Sequence, residues 1–190
     1  MSSSSHPHIR DLFSSDAAVR GASAVAIYNQ GVALAAPLVS SWSAQGEFHS
    51  LVRGQPVTVG LAVFPQTFAR IQRANGNPPL ARVPPDQDAT EFELQFPTGI
   101  SLDILTTRDP LGGGALARFL KRFGEGIQQV EFRCLDVDRA TALVTENFGL
   151  APVYPRAREG ADDTRINFFL APVRTGGKVL IEFYEMAETH

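Results

Sequence analysis

What most constrains the fold of this chain is a stretch of about sixty residues that cannot close a core alone and that occurs twice. From Gly124 to Glu185 the sequence reads GEGIQQVEFRC, then DVDRATALVTENFG, then RINFFLAPVRTGGKVLIEFYE. Residues 127–133 alternate as a strand does. Val137, Ala140, Val144 and Phe148 fall at helical spacing, with Asp136 set to cap the start and Gly149 to end it. After Pro155 and a polar turn over 160–163, two apolar runs, Ile166 to Leu170 and Val179 to Tyr184, flank the turn sequence TGGK. The predicted order is βαβββ. One helix covers one face of such a sheet, so the unit needs a partner for the other.

A second copy lies upstream, over Val57 to Thr107. TVGLAV matches QVEFRC, FARIQRANG matches ATALVTENFG, and FPTGISLDILTT matches APVRTGGKVLIEFYE. The expected class is α+β: two tandem βαβββ modules forming a curved mixed sheet around a central cavity, with an N-terminal extension. The boundaries expected are 1–55 for the extension, packed on the first module, 56–110 for the first module, 111–124 for a linking helix and 125–190 for the second module.

Paired βαβββ units joined by a short helix resemble the vicinal oxygen chelate superfamily, and DPLGGGALARFLKRFGEGIQQVEF is similar to the inter-module helix of its methylmalonyl-CoA epimerase and glyoxalase branch. The resemblance covers Pro56 to Glu188. It implies two half-barrels around a divalent metal, each module supplying one ligand from its first strand and one from its last. Carried onto this chain, it puts Thr58 and Asp103 at the ligand places of the first module, and Gln129 and Glu182 at those of the second. None is histidine, so an all-oxygen set with two carboxylates suits Mg²⁺, Mn²⁺ or Ca²⁺ better than ions that favour imidazole. His49 is a fifth candidate ligand: on a strand over 47–53, paired with 57–63, it would stand in for Thr58. A hydrogen-bonded surface histidine on an edge strand is the plainer reading.

Glu131 follows Gln129 by two and shares its strand face, so Glu131 and Glu182 form a candidate acid–base pair. The alternative is that they are solvated, or paired with Arg133 or Arg165. Arg165 and Asn167 fall on one face of their strand, and Arg156 and Arg158 lie near the expected mouth of the cavity, so these four, with Phe169, are candidate substrate contacts. The arginines also sit beside the acidic residues Glu159, Asp162 and Asp163, which would account for them without a ligand. Thirteen phenylalanines stand against one tryptophan and three tyrosines. Phe92, Phe96, Phe132, Phe168, Phe169 and Phe183 all fall on expected strands, so one sheet face packs on helices and the other lines an apolar cup for an acyl or aromatic ligand. The triple glycine Gly112 to Gly114 lacks a phosphate loop's GK[ST] ending and leads instead into the linking helix.

The extension is the part furthest from the family plan. Residues 16–29 suit a helix or a strand, with Gly21 and Gly31 interrupting the Ala- and Val-rich run. His6 and His8 lie in a Ser-rich start and His190 at the other end, where solvent exposure is the expected state. No apolar stretch is expected to reach the roughly 18 residues of a membrane span, and the start lacks a signal peptide's apolar core. A net charge of −3, without basic runs, argues against nucleic acid. The single cysteine, Cys134, cannot pair internally and reads as a small buried hydrophobe in a cytoplasmic protein.

Two functions of different kinds follow. One is a metal-dependent lyase or isomerase acting through a metal-stabilised enediolate, with Glu182 or Glu131 moving the proton. The other is a metal-free binding protein for a small ligand, as some resistance proteins of the superfamily are. A 4-hydroxyphenylpyruvate-type or extradiol-type dioxygenase is a third reading, disfavoured by the missing histidines. A small-molecule ligand and a homodimer are the expected partners.

Overall fold

The computed structural model describes residues 7–173 and 177–186. Contacts divide the chain into two compact units: one gathers the chain up to Gln30 and Val59–Gln128, the other Gly31–Thr58 and the chain from Gln129 onward.

In the first unit, β1 (Thr58–Ala62) is followed by α4 (Pro65–Ala74), β2 (Thr90–Phe96) and β3 (Ile100–Thr106), with strand order β2-β3-β1. The β2–β3 hairpin is antiparallel, with Phe92 opposite Ile104 and Leu94 opposite Leu102. These four side chains are buried together with Phe68 and Ile71 of α4. Phe68 and Ile71 are three apart, so both lie on one side of the helix, and Phe68 meets Phe92 edge-on at 4.7 Å. Gly99, with φ +77°, takes the left-handed position that closes the hairpin turn. The opposite sheet face carries Glu91, Glu93, Gln95, Ser101 and Asp103, with Asp103 directly across from Glu93. Toward its end this face becomes apolar, where Ala62, Ala89 and Leu105 pack with Leu116 and Leu120 of α5 (Ala115–Phe123).

The repeat is less regular here than expected. Residues 77–89, where the module's remaining strand would lie, contain no strand and meet β2 through one backbone bond, Ala81 N–H to Glu91 O at 3.0 Å. Pro78, Pro79, Pro84 and Pro85 explain this, since proline has no N–H to give a ladder.

The second unit has the full pattern: β4 (Gly126–Arg133), α6 (Val137–Phe148), β5 (Arg158–Glu159), β6 (Arg165–Pro172) and β7 (Lys178–Glu185), in spatial order β4-β7-β6-β5. Asp136 caps α6 by accepting from Arg139 N–H at 2.8 Å, and Gly149, with φ +63°, ends it. The buried side of α6, Val137, Ala140, Leu143 and Val144, covers the sheet face that carries Val130, Phe132, Ile181 and Phe183. The turn expected over TGGK falls largely outside the described residues.

The extension is helical, which corrects two expectations. First, α2 (Ala17–Ser43) runs through Gly21 and Gly31, because a glycine costs a helix only about 1 kcal/mol and Ala24, Ile27, Ala35, Leu38 and Trp42 are buried. Its span Ala17–Trp42 is by length and composition apolar enough to cross a membrane, contrary to the sequence reading; 33% of that window is buried within the structure. Second, residues 46–51 form helix α3 and not a strand. Phe48 is buried against Trp42 at 4.9 Å and Phe183 at 5.8 Å, and a short apolar run obeys whichever period lets its aromatic reach such a cluster. After α3, Val52 bridges to Cys134 in the second module. At the chain's start Ile9 of α1 (Pro7–Asp11) and Leu12 just after it are buried, and Asn75, at the C-terminal cap of α4, donates from Nδ2 to Leu12 O at 2.9 Å.

Candidate active site

The βαβββ connectivity of the second module returns its last strand beside its first. β4 and β7 are parallel neighbours, with Glu131 opposite Glu182 and Gln129 opposite Leu180. Strand alternation then puts Gln129, Glu131 and Glu182 on one face, the one turned away from α6. Gln129 is 5% exposed. Its Nε2 donates to Glu182 Oε2 at 2.7 Å and to Glu131 Oε1 at 3.0 Å, so both amide hydrogens are used on carboxylates. The orientation of the amide follows from its partners, because the reverse would set oxygen against oxygen. Two carboxylates about one strand spacing apart repel by about 3 kcal/mol at an effective dielectric of ~20. Two hydrogen bonds to charged acceptors, at about 1.5–3 kcal/mol each, are enough to offset that.

The hairpin register assigns the neighbours. Phe168 of β6 lies opposite Glu182, Ile166 opposite Tyr184, and Leu170 opposite Leu180. The face therefore has an apolar floor beside the carboxylates. Beyond Phe168 the chain of 152–154 runs along β6, and the Tyr154 ring meets Phe168 at 6.0 Å. The Arg158 guanidinium lies over Tyr154, 4.8 Å from its centroid, and Arg158 pairs with Ile166, so it belongs to this face too. Arg156 is exposed, and its charge acts on Asp138 of α6. Tyr154 and Tyr184 escaped the sequence reading, and Phe168 entered it only as one of several strand phenylalanines, because nothing short of the hairpin register says which phenylalanine of the FF pair joins Glu182.

The other expected site residues lie elsewhere. Arg165, Asn167 and Phe169 point to the opposite side of β6, the side covered by α6. Arg165 joins Asp138 of α6 and Glu185, at 3.4 Å from the latter, so it pairs with neither Glu131 nor Glu182. Its hydrogen bond is also the main reason the Asp138 carboxyl is held below the usual range. Asn167 is fully buried and fastens the loop: its Oδ1 accepts from Tyr154 N–H at 3.3 Å and its Nδ2 donates to Tyr154 O at 3.1 Å. Phe169 is core, 5.2 Å from Phe183. His49 is exposed on α3, so it does not stand beside the β1 strand as a fifth ligand. His8 lies in α1, while His6 and His190 are outside the described residues. Cys134 is buried, and its thiol is pushed up to about 12, chiefly by burial and then by Glu185 and Asp136, so it is no nucleophile.

In the first unit, Asp103 is half-buried on β3 across from Glu93, on the face that Leu105 also takes, and Thr58 is the first residue of β1. Among the described residues, no group of three or more His, Cys, Asp or Glu is placed to hold a metal ion. In the second module Gln129 turns its amide hydrogens to Glu131 and Glu182, and a cation there would need the amide oxygen turned inward instead.

Neither a protein-family model nor a curated protein sequence matches the chain. Solved structures do. Methylmalonyl-CoA epimerase from Mycobacterium tuberculosis is 30% identical over 72% of this chain and 88% of its own, with a TM-score of 0.56. A methylmalonyl-CoA epimerase in complex with methylmalonyl-CoA and NH4+ is 23% identical over 73% of this chain and 97% of its own, at 0.58. A Streptomyces coelicolor methylmalonyl-CoA epimerase variant in complex with 2-nitronate-propionyl-CoA is 23% identical over 68% of this chain and 95% of its own, at 0.55. The last two speak for the fold, and the first also for descent. At that identity and coverage, and with the βαβββ order observed in the second module, this chain belongs to the vicinal oxygen chelate superfamily, alongside the methylmalonyl-CoA epimerases.

Proposed function

We propose that this protein is an epimerase-like isomerase that moves a proton at the carbon next to the carbonyl of a small acyl substrate, with Glu182 and Glu131 as the exchanging groups. The observation behind this reading is the pair itself: two carboxylates in register on adjacent strands, held by one amide, on a face with an apolar floor. A carboxylate is the right group for such a transfer, and a positioned one contributes about 10²–10⁴-fold. Phe168 and Leu180 would seat the acyl chain, and Arg158, stacked on Tyr154, would hold an anionic part of the substrate. Thioester ligands in the related epimerases motivate trying acyl-CoA compounds first. A chain with one cysteine is suited to the cytoplasm, where we place it.

The test is α-proton exchange. Methylmalonyl-CoA and propionyl-CoA would be incubated with the protein in D2O and deuterium at the α carbon followed by mass spectrometry. Exchange above the buffer rate, falling about 100-fold or more in Glu182→Gln, is the expected result. A second reading, a binding protein without turnover, draws on the same hydrogen bonds, since carboxylates engaged by an amide are quieter bases. Saturable binding with no exchange would select it, and neither binding nor exchange would discard both. The dioxygenase reading draws no support from the described histidines: His49 is exposed on α3 and His8 lies in α1.

A further inference from the structure

On the face shared by Gln129, Glu131 and Glu182, the space between two opposed carboxylates is taken by an amide. Carboxylates so placed need positive charge or hydrogen-bond donors between them, and a divalent cation is the common answer. Here the requirement is met by side chains of the chain. Both N–H groups of Gln129 are engaged, one on each carboxylate, at 2.7 and 3.0 Å. Gln129 is nearly sealed from water, so the amide does not trade these partners for solvent. Among the described residues no histidine lies on β4, β6 or β7, and no group of three or more His, Cys, Asp or Glu is placed to hold a metal ion.

We infer that the Gln129 amide takes the place of the superfamily's metal ion on the second module, so that the carboxylate pair is held by two N–H groups without a divalent cation. A corollary concerns the side chain alone. Exchanging the amide for imidazole, Gln129→His, removes the two donors, supplies a nitrogen lone pair between two carboxylates, and makes the second module a site for Mn²⁺ or Co²⁺. The inference rests on the proposed function only in taking this face as the working one.

The experiment uses the full chain, purified without a histidine tag and freed of metal by a chelator, then titrated with Mn²⁺ and with Co²⁺. Bound metal is read by elemental analysis, and Co²⁺ also by its visible absorption. The parent is expected to retain well under one equivalent of either ion, and folded Gln129→His about one. Uptake of about one equivalent by the parent, lost in Glu182→Ala, overturns the inference; so does a folded Gln129→His protein that takes up none. Should Gln129→His fail to fold, the parent still decides through the side-chain amide of Gln129 in ¹⁵N spectra. Both of its protons should exchange slowly and stay sharp on adding Mn²⁺, and selective broadening there overturns the assignment. None of these readouts involves turnover. Loss of α-proton exchange with a metal-free parent would leave the amide in its role and discard the proposed function, whereas metal uptake with exchange intact would do the opposite.

Discussion

Asn167 separates a structural side chain from a ligand-binding one, and the geometry says which it is. The side chain is fully buried on the α6 side of β6, where its amide accepts from one backbone group of Tyr154 and donates to the other. Asn167→Ala removes both bonds, together with the bond from Phe168 N–H to the same Oδ1, and leaves the Tyr154 N–H and C=O short of partners. At about 1 kcal/mol net for each bond, with a further penalty for groups left unsatisfied, the expected destabilisation is about 2–4 kcal/mol. For a chain of this length each kcal/mol lowers Tm by roughly 2–4 °C, so the midpoint should fall by about 5–15 °C. Asn167→Asp keeps the acceptor but sets a carboxylate oxygen against the Tyr154 carbonyl in a dry site, so it should cost more than alanine at neutral pH. Urea unfolding followed by tryptophan fluorescence, with a shared m-value, measures both, since Trp42 lies in the core of the same unit. An Asn167→Ala protein as stable as the parent that had nonetheless lost ligand affinity would refute this account and return Asn167 to the binding face.

Two further outcomes follow from the same unit. Asp138, held below its ordinary value of 3.8 mainly by the Arg165 hydrogen bond, contributes stability that is present above that value and lost as the pH falls through the lower folded-state one. Asp138→Asn should therefore cost under about 1 kcal/mol at pH 7, the pair being half-exposed, and the gap to the parent should close in acid below pH 3.8; a gap that widened there would have the wrong sign. Cys134, buried with its thiol raised to about 12, should resist iodoacetamide at pH 8 in the native protein and react on unfolding. Stoichiometric labelling of the folded chain within minutes would contradict that.

Much of the second module was legible in one dimension. Asp136 and Gly149 delimit α6 because a cap and a left-handed stop are local chemistry, and the alternation of GIQQVEF marks a strand because period two is written into the chain. The placing of Gln129, Glu131 and Glu182 together also followed from sequence, through alternation and the repeat's resemblance to a known plan. The extension was harder. SAVAIY and EFHSLV carry no decisive period; Ile27 is buried, and Trp42 and Phe48 are buried against Phe183, far along the chain.

The sequence by itself determined the βαβββ order of the second module, the bounds of its helix and the family to which the chain belongs. Only the tertiary structure decided which side of β6 faces Glu182. A hairpin's register can slip by one residue with little change in its hydrophobic content, and such a slip exchanges every side chain between faces. The observed register puts Phe168 with Glu182 and sends Arg165, Asn167 and Phe169 to the helix side. Tertiary structure alone also decided what lies between the carboxylates, because a glutamine can offer either an oxygen or two hydrogens, and its partners choose.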